Sequence, residues 1–328
     1  MECRDGLPEL AGGASPSAIN LMLPGTSAGI LGPVLAPQEL LTCLTRYWGL
    51  TNARVTTHDG GMASRTWFVD LDGHRWVAKA VASADGSQFT AGLGIATRLE
   101  QIGIPAGAPV PAADGRLTVE MGNGRLALLT WVPGQPLAGQ TTAEQEMIGR
   151  TLAAVHEALA GVRVAEPRRF HWVDLEAGHL EIRPWLLPAV TSALEELAAA
   201  VPDEMTWGLL HTDPAPEAFR LDPSTGRCGV IDWSYAIEGP LLYDLASAVI
   251  YVGGPDHAEA LVSAYLDAGV IDAEEAARGM APMLRFRWAV QADYFAWRIA
   301  QNDLTGISGP HENEKGLEDA RRALFPRA

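Results

Sequence analysis

From residue 37 onward the chain shifts between stretches whose apolar residues fall at every second position and stretches where they return every three or four. In "APQELLTCLTRYWGL" Leu40, Leu41, Leu44 and Tyr47 share one helical face. The next three stretches, "ARVTTHD", "RTWFVDL" and "HRWVAKA", have strand character. Asp72-Gly73 joins the last two and is a hairpin signal, because both residue types tolerate positive φ. "GSQFTAGLGIATRLEQIG" predicts a helix stopped by Gly103 and Pro105. "RLTVEM" and "GRLALLTWV", linked by Gly122-Asn123-Gly124, add two strands. The expectation is a five-stranded antiparallel sheet with one helix inserted after its third strand.

Beyond "PGQPL" the period changes, and Ile148, Leu152, Val155 and Leu159 form a helical stripe. Further helices are predicted at "AVTSALEELAAAV", "LLYDLASAVIYV", "HAEALVSAYLDAG" and "MLRFRWAVQADYFAWRIAQND", with Pro and Gly punctuating them. Strands first and helices second describe an α+β chain of two lobes. Its expected divisions are a flexible leader over 1–36, rich in Gly, Ala, Pro and Ser, a sheet lobe over 37–132 and a helical lobe over 133–328, with the linker near 131–137. The apolar run "LMLPGTSAGILGPVLAP" is broken by three prolines and three glycines and no basic region precedes it, so it reads as neither signal nor membrane span. Met22, inside that run, is an alternative start. A soluble cytoplasmic protein is expected.

Composition narrows the partners. The hydrophobic fraction of 48% in 328 residues supplies a substantial core. A formal charge of -16, with Lys79 and Lys315 the only lysines, repels phosphate backbones and argues against nucleic acid. It would attract a cationic small molecule. Cys3, Cys43 and Cys228 are odd in number and far apart, which suggests neither a disulfide framework nor a zinc site.

The chemistry concentrates in "GLLHTDPAPEAFRLDPSTGRCGVIDWSYAIEGPLLYDLASA". Asp213 follows His211 by two residues, and Asp232 ends the apolar run "CGVID". Carboxylates in such settings are costly unless paired or bound to a metal. A small sheet carrying a lysine, then a linker, then a helical lobe with an H-x-D loop and a strand-end Asp is the layout of a kinase. The chain resembles the aminoglycoside phosphotransferase and choline kinase-like family, whose loop commonly reads H-G-D-x-x-x-x-N, whose metal segment reads V-I-D-W or V-I-D-F, and which continues G-P-x-x-Y-D-L-A. Here these read "HTDPAPEA", "GVIDW" and "EGPLLYDLA".

The resemblance implies a bilobal protein-kinase-like fold, with a small antiparallel-sheet N-lobe and a larger, mainly helical C-lobe. It also implies a phosphotransferase that uses ATP or GTP and Mg2+ to phosphorylate an alcohol group of a small molecule, antibiotic-like or metabolite, with a peptide hydroxyl a further option. Asp213 would accept or orient the acceptor's proton, Asp232 would hold the magnesium, and Lys79 on the third strand would hold the α/β-phosphates. "DGGMASRTW" would cover the phosphates through Gly60, Gly61 and Ser64, and the hinge at Trp131 would hold the base. His211 is assigned loop support and Asp244 bracing of the loop. Trp288, Tyr294 and Trp297 fit either an acceptor pocket or core.

Two departures from the pattern matter. The loop Asn is replaced by Ala218, with Glu217 beside it as a substitute metal ligand. Members of the family usually place a Glu on the helix after Lys79 to pair with the lysine, whereas Asp85 to Arg98 offers only Asp85, which reads as a helix cap. These departures keep open a catalytically impaired, pseudokinase-like nucleotide-binding module. A metal-dependent hydrolase using His211, Asp213 and Asp232 would want further histidine ligands nearby.

Overall fold

The structure, a computed structural model, describes residues 37–58, 64–163, 170, 173–200 and 205–325. The expected leader and the glycines Gly60 and Gly61 lie outside the described residues. Helix α1 (Pro37–Trp48) precedes strands β1 (Arg54–His58), β2 (Arg65–Leu71) and β3 (His74–Ala82), then helix α2 (Gly86–Gln101) and strands β4 (Val119–Met121) and β5 (Gly124–Thr130). They form one antiparallel sheet in the order β1-β2-β3-β5-β4. Its β2–β3 hairpin turns on Asp72 and Gly73, with φ of 49° and 80°, the pair of left-handed residues that matches strand twist. "RLTVEM" forms a strand only over its last three residues.

Alternation along β3 assigns its side chains to two faces. Ala78 and Ala80 are buried against Leu40 and Leu44 of α1, Val69, Leu126 and Leu128. The opposite parity puts Val81 against Phe89 and Leu93 of α2. Lys79 shares that parity, so its ammonium points toward α2 and the space between the lobes.

The second part of the chain is mainly helical: α3 (Thr142–Ala158), α4 (Leu186–Ala199), α5 (Leu242–Tyr251), α6 (Glu259–Leu266), α7 (Ala273–Ala300) and α8 (Pro310–Leu324). The α3 stripe Ile148, Leu152, Val155 and Leu159 is buried throughout. Helix α3 starts with a capping box, Thr141 accepting the Glu144 amide at 3.3 Å while Glu144 accepts the Thr141 amide. Two small sheets complete the lobe. One pairs β7 (Trp207–Leu210) with β10 (Ile237–Pro240), and the other has the order β6-β8-β9, from β6 (Gln135–Pro136), β8 (Phe219–Leu221) and β9 (Cys228–Val230). Because β6 lies in the expected linker, the connection between lobes is hydrogen-bonded to the helical lobe.

Three expectations are corrected. The long helix does not begin at Met283 but at Ala273, and it runs through Pro282. Asp272 caps it by accepting the Glu275 amide at 2.5 Å, and the burial of Met283, Phe286, Val290 and Phe295 along the helix offsets the cost of the interior proline. Helix α8 has no counterpart in the sequence reading. Asp85 stands at the N-cap position of α2, but its buried side chain makes no capping hydrogen bond.

Helix α2 meets the helical lobe through backbone rather than a carboxylate. A Cβ on Gly92 would lie 1.9 Å from the Trp233 carbonyl oxygen, whereas one on the exposed Gly94 would meet nothing within 4 Å. Two substitutions in one helix should therefore differ in sign. Gly94→Ala is expected to stabilise by about 0.5–1 kcal/mol through helix propensity. Gly92→Ala should destabilise by roughly 1–3 kcal/mol, since rigid backbone must move. Chemical denaturation of both variants checks this, and equal stabilisation would show that the close approach is not needed.

Candidate active site between the lobes

Strand β7 delivers His211, Thr212 and Asp213 as it leaves the sheet. The loop is held from beneath by Asp244, at the start of α5, whose Oδ2 accepts the His211 amide at 2.6 Å and Oδ1 the Thr212 amide at 2.8 Å. Asp244 is fully buried, with His156 Nε2 at 3.1 Å and the His156 ring in turn 2.7 Å from the Tyr265 hydroxyl. These bonds support Thr212 at φ 74°, a left-handed conformation unfavourable for a β-branched residue.

His211 cross-links two segments. Its Nδ1 accepts the Asp213 amide at 3.3 Å and its Nε2–H donates to the Ile231 carbonyl at 2.8 Å, a tautomer assigned from these partners. Burial pushes its pKa below the ordinary value, against the nearby Asp244 charge, so the ring stays neutral. The Ala218 carbonyl accepts the Ile231 amide at 3.0 Å. Ala218 thus holds the Asp232 segment in register through its backbone, although its side chain has no ligand atom.

Asp232 follows β9 at φ 76° and pairs with Lys79, joining the strand-derived cation to the helical lobe. Burial works to raise the Asp232 carboxyl, but the Lys79 ammonium and its hydrogen bond hold it below the usual carboxylate range. Lys79 therefore pairs with Asp232, while Glu100, the Glu of α2, accepts the Ala106 and Gly107 amides at 3.1 and 3.3 Å instead. The pair lies in a cleft of about 1000 Å³, including its open mouth, also lined by Ser64, Phe68, Leu129 and Trp131. Phe68 and Trp131 meet edge-on at 5.6 Å, giving the cleft an aromatic wall. Asp232 offers an ionised oxygen ligand at the polar end. That fits magnesium, which takes one or two carboxylates and leaves its other positions to water and substrate oxygens. Among the described residues no group of three or more His, Cys, Asp or Glu forms a dedicated metal cage.

Asp213 and Glu217 are not part of that cleft's lining. Asp213 is 6% exposed, and burial pushes its carboxyl up to about 7, against a hydrogen bond from the Tyr251 hydroxyl and the positive charge of Arg287. The negative charges of Asp232 and Glu217 raise it further. Glu217 is exposed on the short 3-10 turn Pro216–Ala218. Tyr251 also lines a second groove, where α3, α5 and α6 meet, with Glu146, Asp256, Glu259 and Asp267 around it. Sequence reasoning missed Tyr251 and Arg287, because both sit in apolar helical patterns that carry no motif. Tyr294 is fully buried, while Trp288 and Trp297 pack partly buried against the main core, as residues of the core or its edge.

The model of the phosphotransferase enzyme family matches residues 54–281. A homoserine kinase of Rhizobium johnstonii is 29% identical over 162 residues, 47% of this chain and 50% of that protein. One from Caulobacter is 27% identical over 161 residues, with the same coverage. The chain thus spans about half the length of the curated relatives it matches. Among solved structures, an amicoumacin kinase in complex with AMP-PNP and Ca2+ superposes with a TM-score of 0.70 at 14% identity, covering 88% of this chain and 93% of its own. A choline kinase from Streptococcus pneumoniae gives 0.66 at 14% identity, covering 88% and 99%. The fold is the bilobal kinase-like one. No helix among the described residues is long and apolar enough to cross a membrane.

Proposed function

This chain belongs to the phosphotransferase enzyme family, and from that premise we propose that it transfers the terminal phosphoryl group of ATP or GTP to a hydroxyl of a small molecule. The observation that carries this reading is the Lys79–Asp232 pair in the interlobe cleft, cross-linked through His211 to the loop that holds Asp213. Lys79 would bind the α/β-phosphates, and Ser64 would line their side of the cleft. The aromatic wall of Phe68 and Trp131 would hold the base. Asp232 would hold magnesium, with Glu217 as a second ligand in place of the missing Asn, and the bound ion would neutralise phosphate charge. Asp213, at about 7, is poised to take the acceptor's proton near neutral pH.

The acceptor would enter by the Tyr251 groove. Arg150 there pairs with Glu146, and the remaining acids Asp256, Glu259 and Asp267, with the chain's formal charge of -16, favour an alcohol that carries a cationic nitrogen. Homoserine and choline, in the names of two relatives, are such alcohols and are the first acceptors to try. A nucleotide-consumption screen across amino alcohols, aminoglycosides, macrolides and peptides, with mass spectrometry, is expected to find one product heavier by about 80 Da, one phosphoryl group. Binding of magnesium nucleotide without any such product would favour the impaired binding module instead.

A further inference from the structure

Arg287, with Arg298 one of the two largest fully buried side chains among the described residues, stands in the middle of α7, and none of the kinase motifs calls for it. Its Nη2 donates to the Tyr251 hydroxyl at 3.0 Å and its Nε to the Ser247 hydroxyl at 3.2 Å. Its guanidinium carbon lies 5.6 Å from the centre of the Tyr251 ring. Ser247 donates onward to the Tyr243 carbonyl at 2.8 Å, which fixes the orientation of the hydroxyl facing Nε. Nη1 is buried without a hydrogen-bond partner.

A guanidinium in such a place is expensive, and an apolar side chain would fill the same volume without that cost. What the arginine adds is charge and direction. Both lead to one place, because the Tyr251 hydroxyl that receives Nη2 donates its own proton to Asp213 Oδ1. The carboxylate whose charge Arg287 feels is Asp213, one hydroxyl away. The hydroxyl can point only one proton, and Arg287 occupies its acceptor side, so the proton is committed to Asp213.

We propose that Arg287 acts through Tyr251 as a positioning residue for Asp213, locking Oδ1 and leaving Oδ2 to meet the acceptor hydroxyl. This rests on the reading of Asp213 as the proton acceptor. The relay draws on α7, α5 and the β7 loop, and Tyr251 stands where it meets the acidic groove. Other charges that bear on Asp213 are Asp232 and Glu217, both of which oppose its ionisation.

The test has an arm that needs no acceptor. Carbon-detected NMR of the Asp213 carboxyl is expected to show it titrating about one pKa unit or more higher in Tyr251→Phe and in Arg287→Met than in wild type. In ADP-release assays with Mg-ATP and the probe acceptors L-homoserine and choline, Tyr251→Phe should lower kcat by roughly 10–100-fold with both KM values within about threefold. The double variant should be no worse than the worse single variant, since both cut one relay. Tyr251→Phe removes a single oxygen and keeps the test alive should Arg287→Met fold poorly. An unshifted Asp213 titration in Tyr251→Phe would overturn the relay, and so would losses that multiply in the double variant. Asp213→Asn run alongside separates the two levels. If it abolishes turnover while Tyr251→Phe leaves kcat within about threefold of wild type, the relay alone fails, and if it leaves turnover intact, the role of Asp213 fails as well.

Discussion

Asp213→Asn is expected to lower turnover by roughly 10²–10⁴-fold, the usual scale for a positioned proton acceptor, with nucleotide affinity nearly unchanged. The asparagine keeps an oxygen for the Tyr251 hydroxyl but cannot take a proton. In wild type, activity should fall as pH drops below about 7, where the carboxyl becomes protonated. The same substitution should stabilise the fold. Burial raises Asp213 from 3.8 to about 7, so between those values the native state holds a proton that the unfolded chain has released. The stability this gives is complete below the unfolded value and is lost as pH rises through about 7, a swing on the order of 4 kcal/mol. Thermal unfolding should therefore place Asp213→Asn above wild type at pH 8, with the gap closing near pH 4. Unchanged turnover, within threefold, would remove Asp213 from the chemistry.

The second large effect belongs to Asp232. Millimolar Mg-ATP or Mg-GTP, at 100 times its Kd, should stabilise the protein by about 2.7 kcal/mol, and Asp232→Ala should abolish the magnesium-dependent part. That variant also strands the Lys79 ammonium, whose side chain is 7% exposed, so its ligand-free melting temperature should fall too. Adding Lys79→Met removes the stranded charge and should restore most of the ligand-free stability, but none of the nucleotide response. Thermal shift measurements on wild type and the two variants, with and without magnesium, check this. No shift with either nucleotide in wild type would reject both the kinase and the nucleotide-binding module. A full magnesium-dependent shift in Asp232→Ala would place the metal elsewhere.

Much of the N-lobe was legible because its signals are local. Asp72-Gly73 specifies a turn by its own backbone preferences, and the strands on either side alternate with a period that needs no distant partner. The α3 stripe is likewise a property of adjacent turns. Helix α8 was missed because it is so polar: eight of the fifteen residues in "PHENEKGLEDARRAL" are charged or histidine, and although Leu317, Ala320 and Leu324 recur at helical spacing, they are too few to mark an element until α7 is beside them. Pro282 misled for a related reason, since propensity weighs one lost amide and cannot weigh the tertiary packing that outvotes it.

Sequence alone determined the residue types the chemistry needs: Lys79 on a strand, Asp213 two residues after His211, Asp232 at the end of an apolar run, and Ala218 where an amide was expected. Those are matters of spacing along one segment, and spacing is written in the chain. Tertiary structure decided which groups meet. Lys79 and Asp232 are 153 residues apart, and only the closing of one lobe on the other makes the second the partner of the first. Whether Asp213 titrates near 4 or near 7 depended on how deeply it is buried and on Tyr251 and Arg287, which arrive from helices 38 residues and more along the chain. Burial and long-range charge are properties of the assembled core, and no local pattern encodes them.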